Sequence, residues 1–315
     1  MEKYQVDVSI IIVNYNTKIL TTNTIDSILK KTKGIEYEII VVDNNSSDGS
    51  VEMFKELYEG DIILIESNEN LGFGKANNVG IETSKGKYIF LLNSDTLLVN
   101  NAIKILFCFM ETDQNIGVSG ANLYDENNNP THSFRLFLPS FNLTISLKEI
   151  VIKLFLKFIK KRRPDFNYSF TPKEVGYITG ADMMIRKDVL IVCGMFDPDF
   201  FMYYEEAELT HRIKSKGYAV ISVPKAKIIH IEGASTKVNK GYQDFNPKKY
   251  RMAIESMYKY FEKVYGNSSV NRIYVIRKII LILASFFRDN NHPINHKRRI
   301  SNEEFIKWCK KMNIQ

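Results

Sequence analysis

Polar residues collect at the ends of four short apolar segments, and they are of types that bind nucleotides, sugars and hard cations. The clusters occupy residues 14–16, 43–49, 68–78 and 93–95, and Asn, Asp, Ser and Gly dominate each of them. Turn and helix-cap chemistry explains part of this composition. In sheets of parallel strands, however, ligands bind beyond the carboxyl ends of the strands. Four such clusters therefore predict a binding site along one edge of a sheet.

Two single side chains and one later pair could carry out chemistry. Asp43 directly follows a predicted strand, where its carboxylate could accept hydrogen bonds from N–H groups or hydroxyls; an Asx-turn is the alternative. Lys75 follows Gly-Phe-Gly at a predicted helix start, where a cation and free backbone N–H groups suit a phosphate; a solvated Lys is the alternative. Glu205 and Glu206 are adjacent carboxylates, and such pairing raises one pKa, which suits a general base. Acids also favour helix N-termini because of the helix dipole alone.

The elements that must position these residues alternate between strands and helices. Almost continuously apolar runs predict strands at residues 8–13, 38–43, 62–66 and 88–93, and helical patterns lie between them at 22–31, 50–58 and 75–83. This alternation predicts a parallel sheet covered by helices. Further strands are predicted at 118–123, 180–185, 219–223 and 227–230, with a helix at 205–216. The chain is predicted to be helical from residue 247 onward.

Composition narrows the class of protein. The chain has 315 residues, of which 44% are hydrophobic and 25% charged, so it is not a disordered, collagen-like or disulfide-stapled chain. Cys108, Cys193 and Cys309 lie far apart in sequence, which indicates unpaired thiols in a reducing compartment. We recognise no signal sequence, and the longest apolar run, 279–287, is too short to span a bilayer. We therefore expect a cytoplasmic protein.

The net charge of +7 comes from two local blocks. Residues 143–163 and 272–299 each contain seven Lys or Arg and one acidic residue. The basic residues are interleaved with apolar ones, which is typical of helices on a membrane surface; a solvated helix face over a core is the alternative. We expect these helices to bring the protein to an anionic membrane surface as a peripheral protein. Nucleic-acid binding is not predicted, because no helix-turn-helix, RNP or finger motif accompanies the charge.

Seven motifs, occurring in order, resemble those of the family 2 glycosyltransferases. They occupy residues 8–16, 41–50, 70–80, 91–95, 180–186, 204–209 and 230–235. The chain is similar in particular to the rhamnosyltransferase-like branch. The resemblance implies an inverting enzyme of the GT-A fold, an α/β, Rossmann-like and mainly parallel sheet flanked by helices. Residues 1–246 are then the GT-A domain, with a basic amphipathic insert at about 143–163, and residues 247–315 are a helical C-terminal extension.

The resemblance also implies which residues bind the donor. Nucleotide-sugar binding is implied for Asn14, Tyr15, Asp43, Asn45, Lys75, Asn93, Ser94, Asp95, Gly180, Ala181 and Asp182. Asp43 stands where the family reads the nucleobase. Gly180 and Ala181 would let the backbone approach the donor sugar closely, and Asp182 would contact sugar or acceptor hydroxyls.

The resemblance implies metal-binding roles for Asp95 and His230 and a catalytic role for Glu206 or Glu205. Residues 93–95 stand where the family has its D-x-D motif, whose last Asp ligates Mg²⁺ or Mn²⁺, so Asp95 is the implied metal ligand although Asn93 replaces the first Asp. His230 is implied as a second ligand of the metal or of the diphosphate; a satisfied core histidine is the alternative. Glu206 is the implied catalytic base, with Glu205 as the alternative.

These inferences predict a metal-dependent inverting glycosyltransferase. It would move a sugar, with rhamnose as one candidate, from a nucleoside-diphosphate sugar to a hydroxyl of a cell-surface glycan or a lipid-linked saccharide. A non-catalytic nucleotide-sugar or glycan-binding protein on the same fold is the alternative. A nucleotidyltransferase is disfavoured because no Gly-rich loop follows the first strand, and a dehydrogenase because its Gly-x-Gly-x-x-Gly is missing. Pairing of the C-terminal helices would give a homodimer.

Overall fold

The computed structural model describes residues 4, 6–136, 164–231, 246–273, 275, 303–304, 306–307 and 310–311. These residues belong to two units. The first unit contains the described residues of 1–138, 162–198 and 206–237, and the second contains residues 199–205 and the described residues beyond 245. The basic insert predicted at 143–163 lies outside the described residues, as does most of the block at 272–299.

Four parallel strands begin the sheet of the first unit. They are β1 (Val6–Asn14), β2 (Tyr37–Asp43), β3 (Ile63–Glu66) and β4 (Gly86–Leu92), paired in the order β3-β2-β1-β4. β-Branched residues fill the middle of β1 and β2, because they pack well on a pleated surface that is covered on both faces. All four strands were predicted from the sequence and are confirmed, with small shifts at their ends.

An antiparallel strand joins this parallel set to a second one. β10 (Asp182–Arg186) lies antiparallel between β4 and β6 (Ile116–Tyr124), and β11 (Ala219–His230) runs parallel to β6. β6 and β11 therefore run in the same direction as β1 and β4. Two short strands pair antiparallel with β11, namely β5 (Thr96–Leu98) and β8 (Lys173–Glu174). The described residues thus form a mixed, mainly parallel sheet of nine strands.

Helices cover both faces of the sheet. Ile10 and Ile12 belong to one buried cluster and Ile11 to another, because successive side chains of β1 point to opposite faces. The first cluster includes side chains of α1 (Lys18–Lys31), α2 (Ser50–Leu57) and α4 (Ala102–Met110). The second includes side chains of α3 (Phe73–Thr83), α5 (Lys187–Cys193) and α6 (Glu205–Ser215). The sheet is therefore the middle layer of three.

One strand differs from its prediction, and several elements were not predicted. Residues 219–223 and 227–230, predicted as two strands, form the single strand β11. A register shift between Val223 and Lys227 lets the strand pass Pro224 and still pair with β6. The unpredicted elements include β5, α4 and α5. The sequence of α4 is short and nearly continuously apolar, a pattern that does not distinguish a helix from a buried strand.

The second unit contains α7 (Pro247–Tyr265), which confirms the helix predicted to begin at residue 247. The Asn246 side chain caps this helix by accepting hydrogen bonds from the backbone N–H groups of Lys248 and Lys249. Pro247 suits the first helical position, where a missing N–H costs no hydrogen bond. In the part of the chain that the structure describes, no helix is both long and apolar enough to cross a membrane.

Candidate active site

The carboxyl ends of the parallel strands lie along one edge of the sheet. β1 ends at Asn14 and β2 at Asp43, and these two residues are partners in the ladder. β4 ends at Leu92, so residues 93–95 follow at the same edge. β11 runs in the same direction and ends at His230. Residues from distant parts of the chain are thus collected at the edge where parallel sheets bind ligands.

Asp95 and His230 come into contact at this edge. The Asp95 Oδ1 lies 3.2 Å from Nε2 of His230, and the Asn93 Nδ2 lies 3.4 Å from the same nitrogen. Backbone pairing fixes the contact, because Thr96 is the ladder partner of His230 and the Ile231 N–H donates to the Asp95 carbonyl at 2.9 Å. The side chains of Asp95 and His230 are each 14% exposed. Both can therefore be reached by a ligand.

This pair of donors fits a divalent cation that is held by few protein ligands. Carboxylate oxygen is the preferred ligand of Mg²⁺, and oxygen and imidazole nitrogen both suit first-row cations such as Mn²⁺. Among the described residues there is no group of three or more His, Cys, Asp or Glu side chains placed to hold a metal ion. Most coordination positions of an ion on Asp95 and His230 would therefore be open to phosphate oxygens and water.

Asp43 is buried in a polar network at the ends of β1 and β2. Its Oδ2 accepts a hydrogen bond from the Asn14 side chain at 2.7 Å, and its Oδ1 accepts one from the Ser46 N–H at 2.9 Å. The second contact is the Asx-turn that the sequence left open as an alternative. Asn14 is fully buried and holds Asp43, whereas Tyr15 is 48% exposed and Asn45 is exposed with a left-handed φ of 68°. Donor binding by these residues stays a prediction.

A buried set of threonines connects this network to Ser94. Thr17 Oγ1 donates to Asn14 Oδ1 at 2.8 Å and lies 3.1 Å from Ser94 Oγ, and Thr21 Oγ1 donates to the same Asn14 oxygen at 2.7 Å. Thr24 Oγ1 donates to the Ser94 carbonyl at 2.9 Å. The sequence analysis missed these threonines. Their spacing of four and then three residues, which places polar side chains on one helix face, is the signal that identifies them.

The segment around Gly180 lies against the first turn of α3. The Ala181 carbonyl accepts a hydrogen bond from the Asn93 N–H at 3.0 Å, so this segment adjoins the residues that precede Asp95. A β-carbon added at Gly180 would lie 3.4 Å from the ring of Phe73, the first residue of α3. Lys75 is exposed in the same turn. The described geometry therefore brings the predicted sugar-binding segment and the predicted phosphate-binding lysine to one region.

Asp182 is completely buried, as Asn14 is, but it lies inside the sheet. Its Oδ2 accepts a hydrogen bond from the Ala121 N–H at 2.5 Å, which ties β10 to β6. Burial raises the pKa of the Asp182 carboxyl well above its ordinary value, and the Ala121 N–H only partly opposes the shift. Contact of Asp182 with a sugar stays a prediction, and the structure gives it a role inside the sheet.

The two candidate bases open α6. Glu205 is buried, and Glu206 is partly exposed. Burial of its carboxyl raises the pKa of Glu206, while the positive charge of Arg135 acts in the opposite direction. A carboxylate with a raised pKa suits general-base catalysis near neutral pH. The assignment of the base to Glu206 or Glu205 stays a prediction.

Arg135 is a candidate site residue that the sequence analysis did not identify. It lies in β7 (Phe134–Arg135), which pairs with β9 (Tyr177–Ile178) in a ribbon just before Gly180. Its Nη1 lies 3.3 Å from Oδ2 of Asp165 and 3.2 Å from Nδ1 of His132. No local motif marks this arginine, because only the pairing of two segments distant in sequence brings it near α6.

Comparison with known proteins identifies relatives of the chain. Residues 9–193, more than half of the chain, match the family described as "Glycosyl transferase family 2". The chain is 37% identical over 120 residues to the UDP-Glc:alpha-D-GlcNAc-diphosphoundecaprenol beta-1,3-glucosyltransferase WfaP of Escherichia coli, covering 38% of this chain and 47% of the relative. It is 25% identical over 227 residues to the dTDP-rhamnosyl transferase RfbF of Shigella flexneri, covering 71% of this chain and 68% of the relative.

The fold is shared with solved structures. The crystal structure of GalNAc-T7 with UDP, GalNAc and Mn²⁺ aligns with a TM-score of 0.57 and 16% identity, covering 83% of this chain and 48% of that chain. This likeness concerns the fold, and it confirms the predicted GT-A class. The aligned part of the chain spans about half the length of WfaP and of this structure.

Proposed function

The chain belongs to glycosyl transferase family 2, and from this premise we propose that it transfers a sugar from a nucleoside-diphosphate sugar to an acceptor hydroxyl, with inversion at the anomeric carbon. The observation that carries the proposal is the contact of Asp95 with His230, 3.2 Å apart at the carboxyl edge of the sheet and next to Asn93. A leaving nucleoside diphosphate needs its charge neutralised. Mg²⁺ or Mn²⁺ held by Asp95 and His230 would supply that neutralisation.

The protein's own residues would hold and orient the donor. Asp43 is fixed by Asn14 and Ser46, so its carboxylate presents a preorganised acceptor for an N–H of the base or a ribose hydroxyl. Lys75, exposed at the first turn of α3, offers a cation to the diphosphate. Fixing the Asp43 carboxylate before the donor binds lowers the entropic cost of reaching the reactive geometry.

Glu206 would take the proton from the acceptor hydroxyl. As the hydroxyl oxygen attacks the anomeric carbon, a bond forms between them, the bond to the diphosphate oxygen breaks, and the proton moves to the Glu206 carboxylate. A single base is sufficient for such an in-line displacement, which inverts the anomeric configuration. The raised pKa of Glu206 supports its assignment, because a stronger base accepts the proton more readily.

Substrates are proposed from the names of the relatives. One relative is named for a UDP-Glc donor and a diphosphoundecaprenol-linked acceptor, and another for a dTDP-rhamnosyl donor. We therefore propose a hexose donor, with rhamnose among the candidates, and a glycan or lipid-linked saccharide as the acceptor.

A donor screen tests this function. Purified protein is incubated with Mn²⁺ or Mg²⁺ and a panel of UDP-, dTDP- and GDP-sugars, and released nucleoside diphosphate is measured. Slow, metal-dependent release from one donor is the expected result, because water replaces the acceptor. Tight binding of one donor in calorimetry, with no release even when saccharide acceptors are added, would instead support a non-catalytic binding protein and contradict the proposal.

A further inference from the structure

Four side chains on one face of α7 contact a single loop of the same unit. Ser256, Lys259, Tyr260 and Lys263 are spaced at i, i+3, i+4 and i+7, so they lie on one side of the helix. Together they form what we call the holding face. All four contact residues 199–204, which we call the entry loop because it leads directly into Glu205 at the start of α6.

Three polar contacts hold the entry loop, two of them to its backbone carbonyls and one to a side chain. The buried Ser256 donates its hydroxyl to the Met202 carbonyl at 2.7 Å. Lys259 Nζ donates to the Asp199 carbonyl at 2.8 Å. Lys263 Nζ lies 2.6 Å from Oδ2 of Asp199, and this ion pair holds the pKa of Asp199 below its ordinary value. The holding face thus contacts the entry loop at its first residue, Asp199, and again at Met202.

The fourth contact, between Tyr260 and Tyr204, lies at a strained part of the loop backbone. Tyr203 and Tyr204 have φ angles of 72° and 68°, in the left-handed region that bulky side chains rarely adopt. The Tyr204 ring packs on the buried ring of Tyr260, with centroids 5.6 Å apart. Consecutive residues in this conformation cost free energy and persist only where surrounding contacts over-determine them. The holding face supplies such contacts immediately before the candidate bases.

We propose that α7 is a positioning element for catalysis: its holding face keeps the entry loop in a strained conformation that sets where Glu205 and Glu206 begin α6. This inference rests on the proposed function, since it assigns the base to that pair. The contacts of the proposed donor-binding residues Asp43 and Asp95 are with residues other than those of the entry loop, so we expect the KM for the donor to be unaffected.

Steady-state kinetics on full-length variants test the proposal. Loss of the Ser256 hydrogen bond in Ser256→Ala is expected to lower kcat about fivefold to tenfold and to leave the KM for the donor within about twofold. Lys263→Met should act in the same direction, and Lys263→Arg, which keeps the ion pair, should restore kcat. Lys248→Met is the matched control, because Lys248 is exposed on the same helix outside the holding face. Unchanged kcat in both Ser256→Ala and Lys263→Met would overturn the proposal.

Hydrogen exchange separates this proposal from the proposed function. Backbone amides of residues 199–206 should exchange faster in Ser256→Ala than in wild type, while those of β1 and β4 should be unchanged. If the wild-type protein transfers no sugar, the proposed function fails, and the exchange result still decides whether α7 holds the loop. Equal exchange in wild type and Ser256→Ala, at matched melting temperatures, would refute the holding role.

Discussion

The ionisation of Glu206 is set by opposing influences on one carboxyl group. Burial raises its pKa, whereas hydrogen bonds from the backbone N–H groups of Glu206 and Ala207 and the charge of Arg135 lower it. A general base works only when it is deprotonated, so transfer should fall as the pH drops through this raised pKa. If Glu206 is the base, as proposed, the acidic side of the pH–kcat profile reports on the pKa of Glu206.

Replacing Arg135 tests this assignment. Arg135→Met removes the charge that lowers the Glu206 pKa, so the acidic limb of the pH–kcat profile is expected to move to higher pH. Arg135→Lys keeps a positive charge and should move the limb less. A profile in Arg135→Met that superimposes on the wild-type profile would show that Arg135 does not control the base.

The buried carboxyl of Asp182 should make the stability of the protein depend on pH. Its folded-state pKa is raised well above the ordinary value, so the folded state binds a proton more tightly than the unfolded state does. The contribution of Asp182 to stability is therefore full below the unfolded pKa and is lost as the pH rises through the folded pKa. Asp182→Asn removes this titration and should flatten the dependence of melting temperature on pH across that interval. Parallel curves for wild type and Asp182→Asn would contradict the prediction.

At the scale of the elements, α3 depends on a close approach to β1. A β-carbon added at Gly80 would lie 2.5 Å from Cγ2 of Ile11, which is fully buried. Gly80→Ala should therefore lower the free energy of unfolding by about 1–3 kcal/mol, because overpacking forces the helix or the strand to shift. Denaturant unfolding measures the change, with Lys85→Ala at an exposed position as the control. Equal midpoints for the two variants would show that the α3–β1 contact tolerates the methyl group.

The elements also show how far the sequence predicts the fold. β1, β2 and β4 were predictable because buried parallel strands are almost continuously apolar, and the polar cluster after each of them marked the edge of the candidate site. The continuity of β11 was not predictable, because a proline such as Pro224 usually indicates the end of a strand. The strand continues beyond Pro224 because it pairs with β6 on both sides of the register shift. Asp95 was found through its motif. Arg135 was missed because it approaches the other site residues only through tertiary contacts, whereas Thr17, Thr21 and Thr24 carry a helical spacing that could have identified them.

At the scale of the whole molecule, the excess positive charge is concentrated in two blocks, 143–163 and 272–299. Most of their residues lie outside the described part of the chain, so membrane association remains a prediction from sequence. We expect the protein to float with anionic vesicles at low salt and to be released as the salt concentration rises, because screening weakens attraction to anionic lipid. Vesicles of zwitterionic lipid are the control. Absence from the anionic vesicles at low salt would refute surface binding.

The central claim is that Asp95 and His230 support metal-assisted departure of a nucleoside diphosphate. The most direct measurement is the rate of nucleoside diphosphate release from the donor found in the screen, compared between wild type, Asp95→Ala and Glu82→Gln. Glu82 is an exposed carboxylate near the end of α3, at the opposite edge of the sheet, so Glu82→Gln should match wild type. We expect Asp95→Ala to lose metal-dependent release both with and without acceptor. Full wild-type release by Asp95→Ala would contradict it.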